Sequence, residues 1–370
     1  MGYLKMQRRR IQRVTTAGLA TAAIASLVAA CGSSGSSGSS ASSSSSSSSS
    51  AAALSGTLNG SGSTFQLTFQ QEAISGFKSV QSGVTVNYGG GGSGKGRTDL
   101  ASGVVNYAGS DSTIPPAETA NFKGKTVLYF PVIVGPITLS YNLSGLSKPL
   151  QLSAPVIAGI FQGKITAWNN SQIAADNPGV TLPSTPISLA VRSDSSGTTS
   201  NFSKFLVEAA GSAWTLGSSS TIKWPATSHA GNGNGGVAQI VKSTPGAIGY
   251  VDYSTAKASG LTFASIKNKA GSYIAPTSAS ASAAASQVAV APDLTFSAIW
   301  ADGASSYPIT YQSWDLVYQT QSSKNTAKML QAYISYLLGA GQQTLTSLGY
   351  APLPANIDQM AKAQLSKIGM

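Results

Sequence analysis

A short turn of hydroxyl residues and glycine joins a strand-like run at 187–191 directly to a helix-like run. The turn spans 192–198 and reads Arg-Ser-Asp-Ser-Ser-Gly-Thr. A helix start leaves backbone N–H groups unpaired and carries the positive end of the helix dipole, so it attracts anions. Arg192 adds a fork of donors, and Asp194 is close enough in sequence to hold that fork. The segment predicts an anion site, although by itself it would equally suit an ordinary helix cap.

The same alternation of strand and helix recurs along the chain. Strand-like runs lie at 84–88, 104–110, 127–139 and 247–251, and helix-like runs lie at 154–161, 171–175 and 326–338. Phe65, Phe69, Ala73 and Phe77 have the i, i+4 spacing of one helix face. Strands that alternate with helices predict an α/β fold with largely parallel sheets.

Three loops that lead from a strand into a helix, or that open a helix, have the same chemistry. They are Ser63 with Thr64, Ser93 with Gly94, and Ser196 with Gly197 and Thr198. In open parallel sheets, ligands bind beyond the carboxyl ends of the strands. Ser and Thr each offer a hydroxyl and a backbone N–H, and Gly lets the backbone approach a ligand closely. Each loop alone suits a helix cap equally well, but together the three predict a shared site for one tetrahedral anion.

Asp111 follows the strand-like residues 107–110 and distinguishes among anions. An ionised carboxylate only accepts hydrogen bonds, so it tolerates a bound anion that still carries a proton. Hydrogen phosphate and dihydrogen phosphate carry such a proton, whereas sulfate is fully ionised at neutral pH. A site built around this hydrogen bond rejects a ligand that lacks the proton. The alternative is that Asp111 is a turn or cap residue.

The N-terminal residues predict export. Five Lys and Arg residues precede an apolar run at 17–30, which is shorter than the roughly 20 residues of a membrane-spanning helix. The run ends Leu-Val-Ala-Ala before Cys31, the only cysteine in the sequence. This pattern resembles a bacterial lipobox, in which the cysteine is lipid-modified; the alternative is a plain signal peptide. We expect 1–31 to be a lipoprotein signal peptide with its lipobox, and the Ser-rich segment 32–53 to be a flexible tether.

The charge of the chain does not favour nucleic-acid binding. The formal net charge is +11, but five of the 23 Lys and Arg residues precede Cys31. The remaining 18 face 12 Asp and Glu residues, so the part after the predicted signal peptide carries +6. That part has no Lys/Arg run and no basic–aromatic stripe. A mild positive charge suits the attraction of a small anion.

Catalysis and cofactors have little support in the sequence. His229 is the sole histidine and lies in 227–234, which is predicted to be a surface loop. The sequence has no Gly-x-Ser-x-Gly motif and no His/Asp/Glu cluster with metal-ligand spacing. Residues 89–95 nearly match a nucleotide-binding P-loop, but Gly96 replaces the Ser or Thr that would hold magnesium. We therefore expect no catalytic residue, no metal and no cofactor.

Six stretches form an ordered set: 60–65 (GSGSTF), 92–94 (GSG), 108–111 (AGSD), 163–168 (GKITAW), 192–198 (RSDSSGT) and 245–251 (PGAIGYV). They resemble the phosphate-binding lipoproteins of bacterial ABC-type phosphate uptake systems. The resemblance spans residues 60–368, and several ordered matches make it more specific than any single Gly-rich loop.

The resemblance implies a two-lobed periplasmic-binding-protein fold of type II, an α/β fold with mixed, mostly parallel sheets. Crossing strands near 137–141 and 250–254 would join the lobes. Lobe 1 would comprise 54–139 and 255–370, and lobe 2 would comprise 140–254. The two lobes would close over one phosphate.

By position, the resemblance also implies the ligand contacts. The residues expected to bind phosphate, through side chain or backbone, are Ser63, Thr64, Phe65, Ser93, Asp111, Arg192, Ser196, Gly197 and Thr198. Asp111 would accept the proton of the phosphate, and Asp194 would hold Arg192. Gln66 stands where the family usually has Pro, which predicts a less rigid entry to the first helix. Lys95 stands where a small residue is common, and we expect it to point to solvent.

The leading hypothesis is an exported receptor, lipid-anchored through Cys31 to the outer face of the cytoplasmic membrane. It would bind inorganic phosphate as a monomer and deliver it to ABC permease subunits with a cytoplasmic ATPase. Two alternatives stay open. One is a secreted phosphatase or phosphoester hydrolase on a related scaffold, and the other is a cell-surface structural lipoprotein, which only the Ser-rich tether suggests.

Overall fold

The computed structural model describes residues 54–370, so the predicted signal peptide, Cys31 and the predicted tether lie outside the described residues. The strands are β1 (Gly56–Gly62), β2 (Val84–Gly89), β3 (Tyr107–Ser110), β4 (Val127–Tyr141), β5 (Gln151–Leu152), β6 (Ser188–Arg192), β7 (His229–Gly231), β8 (Ala247–Asp252), β9 (Thr262–Phe263), β10 (Ser265–Lys267), β11 (Tyr273–Ile274) and β12 (Thr310–Tyr318).

The α-helices are α1 (Leu67–Val80), α2 (Ser93–Ala101), α3 (Ala154–Phe161), α4 (Ser171–Asp176), α5 (Gly197–Ala210), α6 (Gly233–Ser243), α7 (Tyr253–Ala258), α8 (Ser278–Ala285), α9 (Lys324–Leu338) and α10 (Ala355–Gln364). Short 3-10 helices lie at Pro116–Phe122, Gly211–Ala213, Ala340–Thr344 and Leu365–Lys367. Within 54–370, no helix combines the length and the apolar content that crossing a bilayer requires.

The hydrophobic spacing of the sequence explains the helices that cover the sheet. Phe69, Ala73 and Phe77 are buried on one side of α1, as the i, i+4 pattern predicts. In α9, Ser323 caps the helix by accepting a hydrogen bond from the Thr326 N–H. Each fully buried aromatic side chain contributes about 1.5–3 kcal/mol through removal of apolar surface from water.

The main sheet is mixed and has the strand order β2-β1-β3-β12-β4-β8-β6-β7, with β9 paired to β4. β1 pairs in parallel with β2 and β3, and β6 pairs in parallel with β7 and β8. β12 is antiparallel to β3 and β4, and β4 is antiparallel to β8. A second sheet of three short strands has the order β11-β10-β5. The fold is therefore α/β with mixed sheets, in agreement with the fold that the resemblance implies.

One long strand belongs to both halves of the main sheet. Residues 127–136 of β4 pair with β12, and residues 137–141 pair with β8. We call the half with β1, β2, β3, β12 and 127–136 the first lobe, and the half with β6, β7, β8 and 137–141 the second lobe. β4 is buried along almost its whole length, which explains why its sequence is nearly continuously apolar.

The lobe boundaries stay a prediction. Three short strands that follow 255 pair with second-lobe residues: β9 pairs with Ser140 and Tyr141, β10 pairs with β5, and β11 pairs with β10. The chain then returns to the first lobe through α8 and enters β12. These pairings favour a second lobe that ends after Ile274 rather than at 254.

Candidate functional site

Three loops of the first lobe end at the same edge of the sheet. β1, β2 and β3 run parallel, so their carboxyl ends lie side by side. Ser63 follows β1, Ser93 opens α2 after β2, and Asp111 follows β3. All three side chains are buried. The Ser63 N–H donates to the Gly109 carbonyl at 2.8 Å, which ties the first loop to the third.

The second lobe contributes a helix start. Arg192 is the last residue of β6, and Ser196 caps α5 by accepting a hydrogen bond from the Thr199 N–H at 3.0 Å. Gly197 and Thr198 form the first turn of α5, where N–H groups have no acceptor within the helix. The predicted strand–turn–helix is thus present, and its donors face away from the helix.

The loops of the two lobes meet. The Gly94 N–H donates to the Ser195 carbonyl at 3.0 Å, and Asn201 Nδ2 donates to the Asp111 carbonyl at 2.6 Å. A Cβ placed on Gly197 would lie 2.6 Å from Asp111 Cβ and under 3.0 Å from Ser93 Oγ. The structure therefore brings the predicted residues of both lobes into one buried cluster.

Asp111 is held from three sides by hydroxyl groups. Its Oδ1 accepts hydrogen bonds from Ser63 Oγ at 2.5 Å and Ser313 Oγ at 2.6 Å, and its Oδ2 accepts one from Ser93 Oγ at 3.3 Å. Burial raises the pKa of Asp111, while the Ser313, Ser63 and Ser93 hydroxyls and the charge of Arg192 act in the opposite direction. Oδ2, which has one long hydrogen bond, keeps the capacity to accept a proton from a ligand.

Arg192 is a buried, oriented cation. Its Nε and Nη2 donate to the two carboxylate oxygens of Asp194 at 2.7 and 2.5 Å, and its Nη1 lies 3.3 Å from Thr198 Oγ1. Burial alone would raise the pKa of Asp194, but the hydrogen bonds and charge of Arg192, with the Gly233 N–H, lower it overall. The guanidinium is thus locked, with donors left on its Nη1 side.

Thr64 and Phe65 lie at the entrance to α1. Thr64 Oγ1 accepts hydrogen bonds from the backbone N–H and from Nδ2 of Asn234, both at 3.2 Å. The Phe65 N–H, which the resemblance assigns to the ligand, donates to Ser63 Oγ at 3.1 Å. The Phe65 ring stacks on Tyr311 with a centroid distance of 4.1 Å. Thr64 thus links the lobes.

The prediction of a surface loop at 227–234 was wrong for most of the segment after Ser228. His229–Gly231 form β7, which pairs with β6, and α6 begins at Gly233. His229 itself is exposed, whereas Asn234 is buried and contacts Thr64 and Thr198. The signal was present, because a Gly-Asn-Gly-Asn turn between strand and helix has the same character as the other three loops.

Sequence reasoning also missed Ser313 and Tyr311. Both lie on β12, where the pairing register with β4 shifts between Ser313 and Trp314. Such a bulge changes the direction in which the side chains point. The sequence signal for these two site residues was the presence of polar residues within an otherwise apolar strand. Tyr311 Oη and Asp252 Oδ2 are buried, and neither has a hydrogen-bond partner among residues 54–370. Burial raises the pKa of Asp252 to about 6.

Lys95 and Gly96, at the end of the segment that nearly matches a P-loop, contact residues of the first lobe. Gly96 packs so closely that an added Cβ would lie 2.7 Å from Gly62 Cα and from the Ser61 carbonyl oxygen. The Lys95 side chain is 54% exposed and forms an ion pair with Asp99 at 2.5 Å. No cluster of His, Cys, Asp and Glu in the described part of the chain could hold a metal ion. The close glycine contact therefore serves packing of α2 against β1.

The entry to α1 is more firmly held than the sequence predicts. Gln66 Nε2 donates to Ser313 Oγ at 2.8 Å and to the Trp314 carbonyl at 2.9 Å. Gln66 Oε1 accepts a hydrogen bond from Gln70 at 2.9 Å. The expectation of a less rigid entry does not fit this arrangement, because buried side-chain hydrogen bonds replace the ring constraint that a proline would supply.

The arrangement has the properties of a small-anion site. It combines a locked guanidinium, a helix N-terminus, buried hydroxyls and one carboxylate oxygen that can accept a proton. Lobe loops enclose these groups, so water is largely excluded and each hydrogen bond is electrostatically stronger than in solvent. Within residues 54–370, the loops that carry these polar groups come from both lobes and are hydrogen-bonded to each other.

Comparison with known proteins places the chain in a defined group. The sequence model of the PBP superfamily domain matches residues 47–340. The chain is 35% identical over 308 residues to phosphate-binding protein PstS3 of Mycobacterium bovis BCG Pasteur, covering 80% of this chain and 83% of that protein. It is 33% identical over 313 residues to phosphate-binding protein PstS of Pasteurella multocida, covering 83% and 89%.

Solved structures share the fold. A phosphate-bound, high-affinity periplasmic phosphate-binding protein, PfluDING, aligns with a TM-score of 0.69 and 21% identity over 84% of this chain and 94% of that one. A putative phosphate ABC transporter substrate-binding protein from Clostridium perfringens, also with bound phosphate, aligns with a TM-score of 0.60 and 17% identity. It is covered over its full length and covers 81% of this chain. These similarities concern the fold alone.

Proposed function

Because this chain belongs to the phosphate-binding proteins of the PstS type within the PBP superfamily, we propose that its interlobe cluster binds inorganic phosphate. The chain is an extracytoplasmic phosphate receptor for an ABC importer. It is a solute-binding component, and no bond is made or broken in the ligand. The observation that carries the site assignment is the close approach of the two lobes: Ser93 is hydrogen-bonded to Asp111 in the first lobe, and a Cβ added to Gly197 of the second lobe would lie 2.6 Å from Asp111 Cβ.

The proposed ligand contacts come from both lobes. They are Ser63, Thr64, Phe65, Ser93, Asp111, Arg192, Ser196, Gly197 and Thr198. Neutral hydroxyls and peptide N–H groups dominate this set, and Arg192 is the buried cation among them. Such donors satisfy all four oxygens of a tetrahedral anion without a cluster of charges, which favours a bound state that can also release its ligand.

Asp111 selects the protonated anion. Its Oδ1 is occupied by two hydroxyl donors, so Oδ2 is the oxygen that accepts the hydrogen bond from a phosphate P–OH group. Sulfate offers no such proton, and its oxygen would face the carboxylate with two lone pairs opposed. A buried carboxylate oxygen that faces an anionic ligand oxygen with no proton between them costs about 1–3 kcal/mol or more, and this cost rejects sulfate.

Delivery follows from the two-lobed fold. Closure of the lobes around phosphate buries the ligand and joins surfaces of both lobes, and a permease that recognises this joined surface accepts only the loaded receptor. Lobe 2 of this proposal comprises 140–254, extended through the short strands up to Ile274. We propose that the receptor acts as a monomer, because one chain supplies every proposed ligand contact and no second copy is needed to complete the site.

Anchoring belongs to the proposal as well. Lipidation of Cys31 and removal of 1–30 would leave the Ser-rich segment 32–53 as a tether between membrane and receptor. Exchange of Cys31 to Ser should release the receptor from membranes into the soluble fraction while phosphate binding persists. Membrane retention of the Ser variant, measured by fractionation and intact mass, would rule out this anchor.

Calorimetric titration tests the proposed function directly. Receptor freed of phosphate by partial unfolding and dialysis should bind phosphate with 1:1 stoichiometry and should not respond to sulfate at the same concentration. The same preparation incubated with a chromogenic phosphoester, with and without divalent metals, should release no product. Absence of phosphate binding by folded protein would overturn the proposal.

A further inference from the structure

A chain of buried hydrogen bonds runs from Asp111 into the interior of the first lobe. Ser313 Oγ donates to Asp111 Oδ1 at 2.6 Å and accepts a hydrogen bond from Gln66 Nε2 at 2.8 Å. Gln66 Oε1 accepts from Gln70 Nε2 at 2.9 Å, and Gln70 Nε2 donates to the two oxygens of Asp315 at 3.2 and 3.1 Å. All five residues are buried. These hydrogen bonds thus join the carboxylate of Asp111, which follows β3, to the carboxylate of Asp315 on β12.

The other end of the Gln70 amide is fixed as well. Gln70 Oε1 accepts hydrogen bonds from Tyr333 Oη at 2.6 Å and from Tyr107 Oη at 3.2 Å. The amide therefore has all of its polar atoms in use, and its orientation is determined by its surroundings.

The chain has a single direction. An ionised Asp315 can only accept, so it turns the Gln70 NH₂ toward itself and toward Gln66. Gln66 must then present its oxygen to Gln70 and its NH₂ to Ser313. Ser313 receives a hydrogen bond on its oxygen, which leaves its proton for Asp111. The charge of Asp315 therefore favours one order of donors as far as Asp111, and the Trp314 carbonyl, which also accepts from Gln66 Nε2, supports the same order.

We propose that Gln66, Gln70 and Asp315 are positioning residues for the phosphate site, which fix the Ser313 hydroxyl as a donor to Asp111 Oδ1. This second donor on Oδ1 keeps Asp111 in the form that accepts the ligand's proton at Oδ2. The inference rests on the proposed function and goes beyond it, because none of the three residues contacts the ligand.

The energetic cost of this network supports a functional role. A buried carboxylate without a cation is expensive, and apolar residues of similar volume are often more stabilising at such positions. The titratable groups that face Asp315 are phenols: Tyr107 from β3, Tyr333 from α9 and Tyr88 from β2. Burial raises the pKa of Asp315 to about 7, opposed by hydrogen bonds from Gln70 and Gln66.

The direction of the chain therefore depends on pH. A protonated Asp315 carries an O–H donor that faces the donor side of Gln70, so the Gln70 amide turns and the order of donors is lost. Phosphate affinity should then fall as pH drops through about 7, beyond the change that the second ionisation of phosphate itself produces.

Exchange of Asp315 to Asn tests the proposal. The Asn amide places its own donors against Gln70, which reverses the chain. By calorimetry from pH 5.5 to 8.5, this variant should bind phosphate about 10-fold more weakly above pH 7 and should lack the wild-type affinity change near pH 7. Its melting temperature should equal or exceed that of the wild type, which separates positioning from a structural defect.

Two further variants complete the experiment. Tyr333→Phe removes one of the two donors to Gln70 Oε1, while Tyr107 keeps the other, so the direction of the chain and the wild-type phosphate affinity above pH 7 should be retained. Ser313→Ala removes the last donor, and adding Asp315→Asn to it should weaken binding no further. If wild type binds phosphate but Asp315→Asn matches it in affinity and pH dependence, or the two losses add, the positioning role is wrong. If wild type does not bind phosphate, the proposed function itself is wrong.

Discussion

Exchange of Gly197 to Ala would test whether phosphate binding needs the close approach of the two lobes. Gly197 lies in the first turn of α5 in the second lobe, and its missing side chain faces Asp111 and Ser93 of the first lobe. Its φ angle is not in the left-handed region, so Ala is compatible with the backbone. The exchange keeps every N–H donor and adds one methyl group at the contact between the lobes.

The magnitude follows from the local geometry. The new Cβ would lie 2.6 Å from Asp111 Cβ and 2.7 Å from Asp111 Oδ2, against an ordinary contact of at least 3.4 Å. Asp111 cannot move aside, because three hydroxyls hold its carboxylate. The loops must separate instead. Overpacking of this kind costs about 1–3 kcal/mol, which corresponds to a loss of phosphate affinity of roughly 5- to 150-fold.

Gly235→Ala is the matched control. Gly235 lies in the first turns of α6, close in sequence to Asn234, and has no atom within 4 Å of its added Cβ. Calorimetric titration with phosphate should give wild-type affinity for Gly235→Ala and the weakened value for Gly197→Ala. Thermal unfolding without phosphate should show that both variants are folded. Wild-type affinity of Gly197→Ala would refute the reasoning that the lobes close at this point.

Three further predictions concern charge. Asp111→Asn should reduce discrimination of phosphate against sulfate by about 100-fold in competition binding, and unchanged discrimination would remove Asp111 from selection. Arg192→Lys should weaken phosphate binding about 10-fold or more, because Lys cannot hold Asp194 with a fork and also reach the anion; equal affinity would contradict this. The raised pKa of Asp315, about 7 against 3.8, means that the native state binds its proton more tightly than the unfolded state. Its stabilising contribution is full below about pH 4 and is lost as pH rises through 7, by on the order of 4 kcal/mol. Chemical denaturation at pH 4.5 and 8 should show this loss in the wild type and not in Asp315→Asn; equal pH dependence of the two proteins would show that Asp315 titrates normally.

Local patterns predicted the elements that lie at the site. The helix face of Phe69, Ala73 and Phe77 in α1, the strand at 84–88 and the helix at 326–338 follow from periodicity and are present. The predicted strand at 104–110 is shorter, because β3 begins at Tyr107. The loops with Ser, Thr and Gly between a strand and a helix carried most of the information about the site. Such residues at a helix start indicate either a helix cap or an anion site, and the occurrence of three such loops favoured the anion site.

Strand pairings between residues far apart in the sequence could not be predicted from local sequence patterns. β12 was not predicted, although it lies between β3 and β4 and supplies Ser313, because it mixes polar and aromatic residues in a strand buried on both faces. The Gln66–Asp315 network joins residues almost 250 positions apart, and no periodicity reports such a contact. In the sequence, Gln66 stood out only because the resembled family usually has Pro at this position. Its hydrogen bonds could not be predicted, because their acceptors lie on β12.

The charges of the cluster explain why selectivity depends on a proton. Arg192 is neutralised by Asp194, and Asp111 adds a negative charge, so the protein groups around the proposed ligand carry about one net negative charge if Asp111 is ionised. Coulomb attraction therefore cannot hold the anion. Binding depends on directed donors from two lobes, whose number is fixed by the fold. In a site that excludes water, a misplaced hydrogen bond costs more binding free energy than it would in solvent, because no water molecule replaces the lost partner. A ligand without a proton places an anionic oxygen against Asp111 Oδ2 in that environment, whereas a ligand with the proton donates a hydrogen bond to Oδ2. Because the site is dry, the orientation of Ser313, which three hydrogen bonds link to Asp315, is a determinant of affinity rather than a detail of packing.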